Sequence, residues 1–235
     1  VLGPLRLQPA EFAKFATALA LAKVMSVYGF TVHNMRHFAT ALAVVFVPMM
    51  FIVLQKETGS ALVYLSFFLM FYREGMPGSV LFTGVAMVIY FVVGIRFEEV
   101  MLMDTPTSVG KFVVLLLVQI FTAGMVYIYC KARREAWLIL GYSLGITILS
   151  LLFSEYVIPF DVVWVQIILT IILCLWLLWN GLGTRIKNYY FILLFAIGSV
   201  MFFYSADYVL NNVMEPHQRV RINVLLGLDE DLAGA

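Results

Sequence analysis

The chain of 235 residues is 63% hydrophobic and 12% charged, with a formal net charge of +1 and a mean hydropathy of +0.98. Soluble domains carry about a quarter charged residues, so this composition excludes an ordinary soluble domain and points to a membrane protein. A sequence pI near 7.9 gives no basic surface of the kind nucleic-acid binding needs.

The opening residues, "VLGPLRLQPAEF", have no basic region followed by a short apolar core, so they do not read as a signal peptide. The start lacks an initiator methionine, and "LLGLDEDLAGA" stops without a closing helix or polar tail. The chain is therefore expected to be an internal fragment of a longer protein.

Eight apolar stretches follow in order, at about 9–29, 38–54, 60–72, 80–95, 112–130, 136–153, 162–179 and 189–210. A helix needs about 20 residues, within a range of about 17–25, to cross the hydrocarbon core. The expected fold is all-α: a polytopic membrane helical bundle of about eight transmembrane helices. It forms a single integral-membrane domain over 1–235, with no evident repeat or linker.

The first stretch opens on "QPAEFAK". Glu11 and Lys14, three residues apart, share one helix face and can pair. A charge near the hydrocarbon costs a few kcal/mol and usually faces the bundle interior. A structural ion pair, with Lys14 snorkelling to the interface, and a functional pair are both open on residue types alone. In "HNMRH", His33 and His37 read as loop residues rather than metal ligands, having no Glu partner. Pro48 should kink the second span or be accommodated against neighbouring helices.

"LQKETGSALVY" at 54–64 suits a tight hairpin. Gly59 removes the Cβ penalty, Ser60 is a good N-cap, and Glu57 then lies near a helix N-terminus, where a carboxylate is stabilised. A capped hairpin with no further role explains it equally. Cys130 and Cys174 lie in apolar runs and read as buried free thiols, with no disulfide or metal framework. "CKARRE" at 130–135 reads as a topology determinant. Trp164, Trp179, Tyr189 and Tyr190 fit an aromatic belt at the interfaces. Beyond the last stretch, His217, Gln218, Arg219 and Arg221 form a small cationic set able to meet a phosphate.

Charge sets the expected orientation. With residue 1 outside, the inner connections hold eight basic residues: Lys23, Arg36, Arg73, Lys131, Arg133, Arg134, Arg185 and Lys187. The outer ones hold Lys56, Arg96 and Lys111 among six acids, so the positive-inside rule puts both ends of the chain outside. The sequence has no GxGxxG, P-loop or HExxH.

Three stretches together resemble the SEDS family (RodA/FtsW/SpoVE) of bacterial cell-wall synthesis. The family motif R-x-Q-P-[SA]-E-x-x-K reads "RLQPAEFAK" here, matching at Arg6, Gln8, Pro9, Glu11 and Lys14. The motif Q-P-D-L-G-[TS]-[AS] reads "QKETGSA". It matches at Gln55, Gly59, Ser60 and Ala61, while Glu57 replaces the family Asp, keeping its charge on a longer arm. The motif Q-x-x-R with a later D-x-x-G-A-G-Y appears as Gln218, Arg221 and "DLAGA" from Asp231. The likeness covers about 1–75, as family core helices, and 189–235, as the last helix and the start of a large outer loop. Four further helices over 80–179 fall outside it.

The resemblance implies a peptidoglycan glycosyltransferase, RodA-like and serving cell elongation. It would polymerise lipid II at the bacterial inner membrane, with a class B penicillin-binding protein as partner and membrane lipids around it. The implied substrate cavity is lined by Arg6, Gln8, Glu11, Lys14, Glu57, Gln218 and Arg221. No cofactor is evident, although the resemblance leaves room for a divalent metal ion in the parent protein. The family's catalytic Asp would lie beyond Ala235, so the fragment is expected to be inactive. A lipid-linked precursor transporter (flippase) and a non-catalytic scaffold are the alternatives. A flippase needs polar residues through to the inner face, whereas the in-membrane polar residues here read as gathered near the outer ends, which favours the enzyme.

Overall fold

The computed structural model describes residues 9–32, 34–54, 60, 63–102 and 105–208. Eight α-helices are present among them: α1 (Pro9–Met25), α2 (Met35–Leu54), α3 (Phe67–Arg73), α4 (Gly78–Arg96), α5 (Val109–Tyr129), α6 (Arg133–Tyr156), α7 (Val163–Thr184) and α8 (Lys187–Tyr208). Each of the eight apolar stretches overlaps one of them. Six, α2 and α4–α8, are long and apolar enough to cross a membrane. The 17 residues of α1 stand at the lower limit for a span, and α3 has seven. The chain is an all-helical, multi-pass membrane protein. It divides into two compact units, Val1–Gly84 and Val85–Ala235, with the division inside α4.

In the first unit α1 packs on α2 around Leu21, Ala41, Val45, Ile52, Tyr64 and Phe71. Asn34 starts α2, its Oδ1 accepting from the Arg36 amide at 3.0 Å, as a favoured N-cap residue does. His37 therefore lies in the first turn of α2, not in a loop, and its ring stacks on Phe30. The helix continues through Pro48. α3 ends where Gly75 takes φ +98° and the Met76 amide reaches back to the Phe71 carbonyl at 3.0 Å, a Schellman closure.

In the second unit α5 is the central helix. It contacts α6, α7 and α8 and buries residues from Gly110 to Val126 on several sides. The connections are tight. Lys131 and Arg185 adopt φ +54° after α5 and α7, the left-handed position that lets a helix stop and reverse. Ser154 Oγ donates to the Phe160 carbonyl at 2.7 Å and pins the turn between α6 and α7. Trp164, Trp179 and Tyr190 are exposed, as an aromatic belt requires, but Tyr189 is buried against the Trp176 ring. One turn of α8 faces both ways, and the pattern "NYYF" does not say which tyrosine turns inward. Cys130 and Cys174 are free and only partly buried.

Candidate functional site

α1 opens with Pro9, whose missing N–H costs nothing in a first turn. Glu11 follows in that turn, where the helix dipole favours a carboxylate. Lys14 Nζ donates to Glu11 Oε1 at 2.6 Å. The lysine side chain is 19% exposed and the glutamate 58%, so the pair runs from the packed face of α1 out to its rim. Residues 11, 14, 17 and 21 fall on one stripe of the helix. Thr17 and Leu21 on that stripe are buried, while Phe12, Phe15 and Leu19 on the other faces are exposed. The polar side thus faces the protein and the apolar side faces out, the arrangement expected of charged groups in a membrane helix.

The stripe continues into the core. Thr17 Oγ1 donates to the Ala13 carbonyl at 2.7 Å and lies 3.2 Å from the Tyr64 hydroxyl. The Thr17 proton is already engaged by Ala13, so Tyr64 is the donor between them. Tyr64 is fully buried and packs edge-on against Phe67. An ammonium carries three donors, and one is used on Glu11. The site can therefore offer a positioned cation, held by a carboxylate, to an anionic group. Arg6, Gln8, Glu57, Gln218 and Arg221 lie outside the described residues, so Glu11 and Lys14 are the predicted site residues that can be placed. Among the described residues no cluster of three or more His, Cys, Asp or Glu side chains could hold a metal ion.

In-membrane polar groups are not confined to the outer helix ends, contrary to expectation. A polar layer lies inside the second unit. Gln119 of α5 donates from Nε2 to Gln166 Oε1 at 2.8 Å and Thr170 Oγ1 at 3.1 Å, both on α7. Ser143 of α6 donates to Gln119 Oε1, and Gln166 Nε2 donates to Thr147 Oγ1 at 2.7 Å. All five side chains are buried. The available signal was the i,i+4 spacing of Ser143 with Thr147 and of Gln166 with Thr170, which places each pair on one helix face. Lys111, expected in a connection, instead opens α5 and lies 3.8 Å from Asp207 in the last turn of α8.

Residues 1–105 match the family model of the FtsW/RodA/SpoVE cell cycle proteins. Over that stretch the chain is similar to the SEDS family. The match holds both Glu11 and Lys14, and it continues past residue 75 to take in α4. Helices α5–α8 follow it in the chain. SEDS proteins include peptidoglycan polymerases. No curated protein and no solved structure gives a significant match.

Proposed function

We propose that the parent protein is a peptidoglycan glycosyltransferase that polymerises lipid II, RodA-like and working beside a class B penicillin-binding protein in the bacterial inner membrane. The observation that carries this reading is the Glu11–Lys14 pair, 2.6 Å apart at the start of α1 within the family-matched stretch. Lys14 is the positioned cation for a pyrophosphate headgroup, and Glu11 fixes where its ammonium points. Arg6, Gln8, Glu57, Gln218 and Arg221 complete the proposed cavity.

The test supplies labelled lipid II to the native-length protein with its penicillin-binding partner in liposomes, and resolves the products as glycan ladders. Lys14→Ala should remove the ladder while the protein still folds and inserts. A ladder near the parent level in that variant sinks the assignment.

A precursor transporter is the second reading, and the buried layer around Gln119 and Gln166 is what speaks for it. Those groups bond to one another across three helices, as interhelical polar contacts do in membrane bundles, so they serve better as a cross-link than as a path. Movement of lipid II across the liposome with no ladder would reverse this preference.

A further inference from the structure

A groove of about 340 Å³ runs between α6 and α7, walled by Ile139, Tyr142, Ile146, Leu169 and Leu173. Its volume falls at the low end of small-molecule sites, about 300–1,000 Å³. Both helices are candidate membrane spans, and their outer residues Leu149 and Ile172 are exposed, so the groove opens on the side that meets lipid tails. Gln119 and Ser143 also line it but are bonded to each other, so what the trough offers a ligand along its length is mainly apolar wall, matched to an acyl chain.

The end of the groove is different in kind. Glu135, half-buried in the first turn of α6, lines it there. Among the described residues this carboxylate forms no ion pair, although Lys131, Arg133 and Arg134 precede it. Arg133 is turned away, its guanidinium over the Tyr127 ring at 5.5 Å. Arg134 is exposed and four residues before Leu138 of the groove, which puts both on one flank of α6. The groove therefore ends on one acceptor for a cation, Glu135, and the exposed Arg134, outside its lining, leaves a donor for an anion on the neighbouring flank of the same turn.

We infer that this groove is a binding site for a glycerophospholipid with a primary-amine headgroup. The acyl chain lies between α6 and α7, the ammonium meets Glu135, and the phosphate meets Arg134. Basic pockets at a cytoplasmic helix end otherwise favour anionic headgroups, and Glu135 is what turns the selection toward the amine. Fixing a lipid here would hold α6 and α7 together on their membrane side, independently of the activity proposed for α1.

The test uses the full chain in mild detergent, stripped of lipid and then supplied with phosphatidylethanolamine or phosphatidylglycerol with the same acyl chains. Bound lipid is counted by native mass spectrometry. The parent should retain the ethanolamine lipid in preference. Glu135→Gln should weaken that lipid about tenfold, the loss expected for one charge-assisted hydrogen bond, without weakening the glycerol lipid. Ile146→Trp, which fills the trough, should weaken both. Equal retention of the two lipids by the parent, or a Glu135→Gln variant indistinguishable from it, would overturn the inference. So would Ile146→Trp breaking self-association or partner capture while lipid retention stays unchanged, because the groove would then belong to a protein helix.

Discussion

The Tyr64 hydroxyl donates a hydrogen bond to Thr17 Oγ1, 47 residues earlier, at 3.2 Å in a buried position. The contact joins α1, which carries the Glu11–Lys14 pair, to the turn at Tyr64–Ser66 that leads into α3. Its two ends are not equivalent. Thr17 keeps its bond to the Ala13 carbonyl if Tyr64 loses the hydroxyl, whereas Tyr64 has no second partner among the described residues if Thr17 does. Tyr64→Phe should cost about 0.5–1.5 kcal/mol, one ordinary hydrogen bond, and Thr17→Val about 1–3 kcal/mol, because it strands a buried donor. Thermal unfolding in detergent gives the order, and a costlier Tyr64→Phe would refute it.

The ion pair can be separated from the function proposed for it by exchanging its charges. Glu11→Lys with Lys14→Glu preserves an i,i+3 attraction but moves the cation to the rim and into the first turn, where the helix dipole disfavours it. If the pair only holds α1 together, the double variant should polymerise lipid II near the parent level in the native-length protein. If Lys14 instead positions a cation for the pyrophosphate, the ladder should be lost. The expected drop is at least 100-fold below the parent, on the scale of a lost oxyanion donor, about 10²–10³.

Gln119 and Gln166 should behave as one unit. Gln119→Leu leaves Gln166 Oε1 without that donor and Ser143 Oγ without its acceptor, a loss of about 1–3 kcal/mol. Adding Gln166→Leu removes one of the stranded groups, so the double variant should be less damaged than the two losses summed, by about 0.5–3 kcal/mol. Strict additivity in a double-mutant cycle would mean that the layer is not coupled.

Two glycines differ in what a methyl group would strike. A Cβ at Gly110 would come within 2.4 Å of the Gly94 carbonyl oxygen and 3.0 Å of the Glu98 amide, both backbone. At Gly94 it would meet the Phe203 ring, also at 2.4 Å, which is side chain and can turn aside. Gly94→Ala should therefore cost about 1–3 kcal/mol, the usual range for overpacking, and recover when Phe203 is shortened to Leu. Gly110→Ala should be worse than this and should not recover with Phe203→Leu. Unfolding midpoints of the four variants decide it.

Cys130 caps α5 outside the span. Partial burial pushes its thiol up from the usual value, and a hydrogen bond from Tyr189 pulls partly the other way. The neutral thiol is thus favoured at neutral pH, and maleimide labelling should reach half its maximal rate at a higher pH than for a thiol in a short peptide. Tyr189→Phe removes the opposing bond and should shift the labelling curve further upward. A downward shift would contradict the assigned hydrogen bond.

The sequence already contained the eight helices, because a run of apolar residues bounded by charges leaves the backbone few other ways to satisfy itself in lipid. It also contained the Glu11–Lys14 pair, since three-residue spacing fixes a shared face. The Thr17–Tyr64 contact was not legible. Thr17 is an unremarked threonine among alanines, and its partner lies two helices later. Gln119 was hidden for the same reason: one amide in an oily run acquires meaning only when Gln166 and Ser143 arrive beside it. Tyr189 and Tyr190 are adjacent in sequence and opposite in burial, a difference set by the Trp176 ring and not by either tyrosine.

The layer that joins α5, α6 and α7 also constrains how this sequence can change over generations. One residue inserted within any of these helices turns everything beyond it by about 100° and shifts it by about 1.5 Å. An insertion between Gln119 and the packed part of α5 would swing the amide away from Ser143 and Gln166 together. Insertions and deletions inherited by relatives should therefore collect in the turns at 130–132 and 157–162, leaving the three helix interiors equal in count from one descendant to the next.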